Sequence, residues 1–251
     1  MTLDKNQDLE GLKRIGKIVA NCLQFMGNSI EPGMSSRELD NLGAQYLAKH
    51  GARSAPMLVY NFPGTTCISI NHEVAHGIPG DRKIVAGDLV NIDVSAELDG
   101  YFGDTGGSFI VPPESRTKRH LCDSTRRALE AAMLVARAGQ PLSSIGRAIE
   151  DTAKHHKLKV IRNLGSHGVG RALHEAPEFI APFYDPRDKR ILKEGMVITI
   201  EPFLSTGADE VMESSDGWTL YTDKKHLSAQ YEHTMVITKG APLIMTLADG
   251  F

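Results

Sequence analysis

The chain has little of what marks secreted, membrane-bound or nucleic-acid-binding proteins. Its three cysteines, Cys22, Cys67 and Cys122, are odd in number, widely spaced and without a CxxC pair. That speaks against a disulfide framework and fits reduced thiols in a cytoplasmic protein. No apolar run approaches the roughly 20 residues that a membrane-spanning helix requires. The opening MTLDKNQDLEGLKR is hydrophilic, without a secretory apolar core or an acid-free, arginine-rich presequence. Lysine plus arginine number 28 against 31 aspartate plus glutamate, and no basic run stands out, so neither nucleic acid nor a membrane surface is an expected partner.

What is present suits an α/β enzyme. A chain of 251 residues is long enough to bury a full core as one large domain or two small ones. Apolar positions Leu12, Ile15, Ile18, Cys22 and Phe25 recur every three or four residues and predict a helix ending near Gly27. Ser35 and Glu38 have capping-box spacing and open a second helix through Leu39, Leu42, Tyr46 and Leu47, stopped at Gly51. Strand-like runs TCISI, DLVNIDVSAEL and YFGDTGGSFIV follow. A third helix is expected from about Ser124 to Ala138 and a fourth from Ser143-Ser144 through Ile145 and Ile149. Strands return with MVITIEPFL, WTLYT and YEHTMVIT.

The order helix, helix, strands then repeats, and the residues repeat with it. GMSSREL and PLSSIGR begin at Gly33 and Pro141; GDLVNID and GMVITIE begin at Gly87 and Gly195; their terminal acids are Asp93 and Glu201. Each pair is 108 residues apart. His76 and Pro79 resemble His174 and Pro177 at an offset of 98, so about ten residues are inserted between His174 and Glu201. Two pseudo-equivalent halves, about 1–122 and 123–251, would set their acids face to face within one domain spanning 1–251.

Those acids are the most informative residues. Asp93, Asp104, His167, Glu201 and Glu232 sit in or at the ends of apolar, strand-like contexts: VNIDVS, FGDTGG, GSHGVG, ITIEPF and AQYEHT. An ionised carboxylate taken out of water is costly unless something positive compensates it. Two like charges about 4 Å apart repel by roughly 4 kcal/mol at an effective dielectric near 20. One or two divalent cations would hold such a group together.

The hairpin can be read in register. Asp99-Gly100 suits a two-residue type I′ turn, which needs positive φ at both positions. Ser95 then faces Asp104, and Asp93 lies on the same sheet face, diagonal to Asp104. Diagonal carboxylates can hold two ions the roughly 3.5–4 Å apart that two-metal hydrolases use. His167, flanked by glycines and followed by His174, is read as a ligand. His233 should point away from the face that carries Glu232.

Two short motifs compete. His72-Glu73-Val74-Ala75-His76 matches HExxH, but that motif needs a helix, whereas TCISIN reads as strand and Gly77-Ile78-Pro79-Gly80 as a turn. Asp104-Thr105-Gly106 matches the aspartic-protease triplet, whose only faint second copy is Ser215-Asp216-Gly217 in a polar stretch.

Together NIDV, GDT, SHGVGR, HEAP, TIEPF, SAQYEHT and the HGIP at His76 resemble the type I methionine aminopeptidases, from about Asp8 to Thr238. The resemblance implies the pita-bread α/β fold: duplicated helix-helix-strands halves with a mainly antiparallel sheet and helices on its outer face. It implies two divalent ions, drawn from Co, Mn, Fe or Zn, with Asp93 on one, His167 on the other, and Asp104 and Glu232 bridging. Glu201 would ligate metal and shuttle protons; His76 and His174 would contact the scissile peptide. Phe62, Cys67 and Trp218 join the two histidines in binding substrate. The implied partners are peptide and nascent-protein N-termini, with ribosome association open and a monomer expected. An oxygen-rich set of four carboxylates and one imidazole suits those ions.

Departures from the family pattern cluster at the side-chain pocket, where Pro56, Val59, Phe62, His72 and Leu173 stand at positions usually held by cysteine, tyrosine, tyrosine, an acid and phenylalanine. A pocket poorer in sulfur and aromatic surface, hence weaker methionine selection, is the expectation. The alternatives are a proline-specific peptidase of the same fold and a non-catalytic peptide-binding relative.

Overall fold

The computed structural model describes residues 1–3 and 6–249. Helices α1 (Asn6–Asn28) and α2 (Ser36–Lys49) precede β1 (Arg53–Ser54), the short α3 (Ala55–Tyr60), β2 (Cys67–Ile70) and β3 (Glu73–Ala75). The long hairpin β4 (Leu89–Leu98) and β5 (Tyr101–Ile110) follows, then α4 (Arg116–Val135) and α5 (Ser143–His155). The remainder is β6 (Lys159–Val160), β7 (Ser166–Gly168), β8 (Glu175–Ile180), β9 (Val197–Ile200) and β10 (Phe203–Ser205). After these come β11 (Met212–Glu213), β12 (Leu220–Tyr221), β13 (Ser228–Gln230), β14 (His233–Val236) and β15 (Leu243–Ile244).

All strand pairings described are antiparallel. In the first sheet β4 lies between β5 and β2; in the last, β9 lies between β14 and β7. The same strand order thus occurs twice. Helix α1 buries the stripe Leu12, Ile15, Val19, Cys22 and Met26 against β4 and β5. Helices α4 and α5 bury Leu121, Leu129, Ile145 and Ile149 with Ile198 and Ile200 of β9. Burying an aliphatic side chain of this size contributes roughly 1.5–3 kcal/mol before chain entropy is counted, so each helix pins its own sheet. Glycine lets the helix backbone come close: a Cβ on Gly16 of α1 would collide with the Met245 backbone, and one on Gly103 of β5 would stand 3.3 Å from the backbone of Gly16.

Several sequence expectations are corrected here. The third helix starts at Arg116, not near Ser124, because Ser115 caps it by accepting from the Lys118 N–H and because Leu121 and Cys122 already face the core. Its first turns, RTKRH, are polar and hide the apolar period. Helix α3 is an addition to the elements expected from sequence: Ser54 caps it, Pro56 sits in its first turn and Asn61 closes it at φ 56°. The run MVITIEPFL is two strands, β9 and β10, broken at Glu201-Pro202; proline lacks the N–H that would continue the ladder.

Candidate metal centre

The β4–β5 hairpin has the register read from sequence, with Ser95 opposite Asp104 and the turn residues Asp99 and Gly100 at φ 53° and 78°. Asp93 and Asp104 lie close enough across the ladder for each to shift the other's proton affinity. From the other half of the chain, His167 on β7, Glu201 at the end of β9 and Glu232 just before β14 enter the same cavity of about 420 Å³. The two halves are sewn together beneath it. The Asp104 N–H donates to Thr234 Oγ1 (3.0 Å), whose hydroxyl donates back to the Asp104 carbonyl (2.7 Å). The Glu232 N–H donates to the Gly106 carbonyl (3.0 Å), and Thr105 Oγ1 donates to the Glu232 carbonyl (2.8 Å).

Among the described residues, no lysine or arginine lines this cavity. Burial raises the Asp93 carboxyl to about 6, opposed by the Asp104 beside it. Burial, then the neighbouring carboxylates, pushes Asp104 and Glu232 well above the usual range; burial and Asp93 do the same for Glu201. His167 does not supply the missing charge. Burial and then His174 lower it to about 3, so the imidazole is neutral, and its approaches to Glu201 (3.5 Å) and Asp104 (3.8 Å) are not ion pairs. Its Nδ1 lies 2.9 Å from the Gly168 carbonyl, an acceptor only, so Nδ1 carries the proton and the Nε2 lone pair faces the carboxylates.

Lone pairs therefore face lone pairs. Ligand atoms of Asp104, His167 and Glu232 lie within 4.8 Å of one another. Asp104 Oδ1 and Glu232 Oε1 are buried with no hydrogen-bond partner among the described residues, which is costly for any polar atom and more so for a charged one. A divalent cation resolves all of these deficits at once, and the oxygen-rich donor set with one imidazole suits it. The residues present fit a bound metal.

Neutral groups behind the site aim the ligands, as supporting shells commonly do. Glu232 Oε2 accepts from Gln230 Nε2 (2.9 Å), and Gln230 Oε1 accepts from Asn91 Nδ2 (2.8 Å). Thr199 Oγ1 donates to Glu201 Oε1 (3.3 Å) and accepts from the His167 N–H (3.2 Å), while Ser166 Oγ accepts from the Glu201 N–H (3.0 Å). The sequence carries a signal for these supporting residues: Asn91, Thr199, Gln230 and Thr234 each stand two residues from an acid, the spacing that puts side chains on one face of a strand.

His76, Phe62, Cys67, His174 and Trp218, the expected substrate contacts, line the same cavity. His76 sits at φ 54°, an uncommon conformation for a non-glycine residue that often marks functional sites. Burial lowers the pKa of both His76 and His174, so both imidazoles are neutral near pH 7. Burial drives the Cys67 thiol well up, making it a wall atom rather than a nucleophile. Phe62 meets Trp218 edge-on at 5.2 Å.

The three residues behind the expectation of a pocket poorer in sulfur and aromatic surface are placed differently. Val59 is exposed and lies outside the cavity wall, whereas Tyr60, Phe62, Phe203 and Trp218 all line it. The turn at Asn61 brings both of its neighbours inward, which residue-by-residue matching could not foresee. Pro56 and Leu173 do line the wall. The two competing motifs fail on geometry. Residues 73–75 of the HExxH match are strand β3, paired with β12, and His72 lies outside the cavity. Asp216 accepts the N–H groups of Trp218 and Thr219 in a surface turn.

Comparison with known proteins agrees with this arrangement. Residues 10–239 match the model of metallopeptidase family M24. The chain is 49% identical over 247 residues to methionine aminopeptidase 2 of Bacillus subtilis, covering 98% of this chain and 99% of that one. Among solved structures, methionine aminopeptidase from Rickettsia prowazekii superposes with a TM-score of 0.93 at 37% identity, covering 98% and 100% of the two chains. Prolidase from Pyrococcus furiosus shares the fold at a TM-score of 0.78 and 24% identity, covering 98% of this chain and 65% of that one. The architecture is accordingly the pita-bread fold. With a full-length relative at nearly half identity and a family match across both sheets, this chain belongs to metallopeptidase family M24.

Proposed function

We propose that this protein is a metal-dependent aminopeptidase that removes the N-terminal methionine from peptides and nascent proteins. The observation that carries the reading is the pair of carboxylate oxygens, Asp104 Oδ1 and Glu232 Oε1, that have no partner among the described residues, in a cavity that none of the described lysines or arginines lines. Asp93, Asp104, His167, Glu201 and Glu232 would hold two divalent ions, with Mn²⁺, Fe²⁺, Co²⁺ and Zn²⁺ as the candidates. Bound there, such ions acidify water and polarise a carbonyl.

The chain's own groups do the rest. Glu201, a carboxylate whose affinity for protons is raised by burial, takes the proton of the attacking water and delivers it to the leaving amine nitrogen. His76 and His174, both neutral, act as hydrogen-bonding groups to the scissile peptide, stabilising the oxyanion as it forms. Phe62, Cys67, Trp218 and Tyr60 form the wall against the methionine side chain, whose burial is worth roughly 1.5–3 kcal/mol. Residues 1–251 act as one catalytic domain with two pseudo-symmetric halves, as a cytoplasmic monomer whose substrates include chains leaving the ribosome. Among the described residues no helix is long and apolar enough to cross a membrane.

Release of methionine from Met-Ala-Ser, set against Leu-Ala-Ser and Ala-Pro peptides with each metal in turn, tests the reading. Metal-dependent turnover of the methionine peptide above both others is expected. Preference for Ala-Pro would overturn it in favour of a proline-specific peptidase.

A further inference from the structure

The hydroxyl of Tyr60 lies 2.7 Å from Nδ1 of His174, although the two residues are 114 positions apart. Their ring centroids are 5.7 Å apart, and the His174 ring also lies against that of His167 at a centroid distance of 4.0 Å. The imidazole thus contacts both a ligand of the proposed metal centre and a phenol. Tyr60 comes from the last position of α3, whose ends are defined by the Ser54 cap and the left-handed Asn61. The contact is therefore built by a short, well-terminated helix rather than by a drifting loop.

We propose that Tyr60 is a positioning residue that donates its phenolic proton to Nδ1 of His174, holding the imidazole as the Nε2–H tautomer so that it offers a peptide oxygen a donor rather than a lone pair. A neutral imidazole has one donor nitrogen and one acceptor nitrogen, and the partner of one decides the state of the other. A phenol is the more acidic partner and an imidazole nitrogen the more basic, so O–H···N is favoured over N–H···O. Among the described residues Nε2 of His174 has no hydrogen bond of its own, which leaves it for substrate. The proposal rests on the aminopeptidase reading for its consequence, but not for the tautomer itself.

Two measurements separate these. In Zn²⁺-loaded, ¹⁵N-labelled protein, long-range ¹H–¹⁵N spectra should show His174 protonated at Nε2 in the native chain and as a mixture of tautomers in Tyr60→Phe. Tyr60 is 42% exposed, so the variant keeps its fold. In peptide hydrolysis, Tyr60→Phe should lower kcat by about five- to tenfold, the scale of one hydrogen bond, with KM within about twofold and metal content unchanged. In a His174→Ala background the same substitution should cause no further loss. Native His174 protonated at Nδ1, or an equal loss in the His174→Ala background, would overturn the proposal. If the native protein releases no methionine, the aminopeptidase reading fails and the spectra alone decide the role of Tyr60.

Discussion

The two sheets place their acids by different means. In the first, β4 and β5 pair without a break from Leu89 with Ile110 to Leu98 with Tyr101, and Asp93 and Asp104 are simply two positions on one face of that ladder. In the second, the equivalent run is interrupted: β9 ends at Ile200 and β10 begins at Phe203, while β13 ends at Gln230 and β14 begins at His233. Glu201 and Glu232 stand in the two gaps. Freed from the ladder, Glu201 offers its N–H to Ser166, and Glu232 offers its N–H to Gly106 of the first sheet. The unbroken hairpin supplies a rigid floor, and the interruption lets two further acids reach over it. Ladder register sets the face of the first pair of acids, with Thr234 bracing the Asp104 backbone; the second pair stands outside the ladder and depends on hydrogen bonds to distant partners.

The largest effect that separates the two regions should come from Glu201→Gln. Its amide keeps an oxygen toward the site but cannot carry a proton, so turnover should fall by about 10³-fold, within the range of general acid–base catalysis. Metal content by elemental analysis should be largely retained. Comparable turnover in the variant would remove Glu201 from the proton path.

The dependence of the second sheet on distant partners predicts an asymmetry in metal affinity. Gln230→Ala takes away the hydrogen bond that aims Glu232 and should weaken metal binding by about 10- to 100-fold, as loss of such supporting groups does. Ser95→Ala, directly opposite Asp104 in the unbroken ladder, should leave affinity within about twofold. Calorimetric titration of both variants would reveal equal effects if the asymmetry is not real.

A smaller effect follows from charge. Asp93, Asp104, Glu201 and Glu232 have folded pKa values raised above their unfolded ones. Their contribution is fully present below the unfolded value and is lost as pH rises toward the folded one. His167, lowered to about 3, and His233, lowered to about 4 by its own burial, act oppositely, their contributions being lost as pH falls below about 6.5. Above about 6.5 the histidines no longer contribute and Asp93, raised to about 6, has already titrated, so Asp104, Glu201 and Glu232 govern, and protein stripped with a chelator should lose stability as pH rises toward 8. The shift is on the order of a few degrees in Tm. Adding Mn²⁺ or Co²⁺ should restore it, since a ligand of the native state stabilises by mass action. A chelator-insensitive Tm at pH 8 would count against a preformed site.

The smallest effect is expected from His72→Ala. His72 lies outside the cavity and touches β12's exit through its carbonyl, which accepts the Thr222 N–H (2.9 Å). Metal content and activity should match the unaltered protein; loss of metal would revive the HExxH reading.

Legibility in the sequence followed the range of the forces involved. The capping box at Ser35 and Glu38 and the I′ turn at Asp99-Gly100 are local chemistry, and both appear in the structure as read. His233, expected on the face away from Glu232, donates or accepts at Thr246 Oγ1 (2.9 Å), away from the metal cavity. Helix α3, the early start of α4 and the break after Ile200 were not legible. Their apolar periods are too short or too diluted by polar residues, and tertiary packing decides them.

By itself the sequence determined which residues are chemically able to form the site, and the placement of Asp93 diagonal to Asp104 on one face, because strand periodicity and a two-residue turn admit one register. Only the tertiary structure decided that His167, Glu201 and Glu232 meet that pair, that Asn91 and Gln230 stand behind them, and that Tyr60 reaches His174. These contacts join residues up to 139 positions apart. No local preference encodes such a meeting. It exists because α1 and α4 bury apolar stripes against their own sheets, and the hydrogen bonds of Thr105 and Thr234 then fix the two sheets edge to edge.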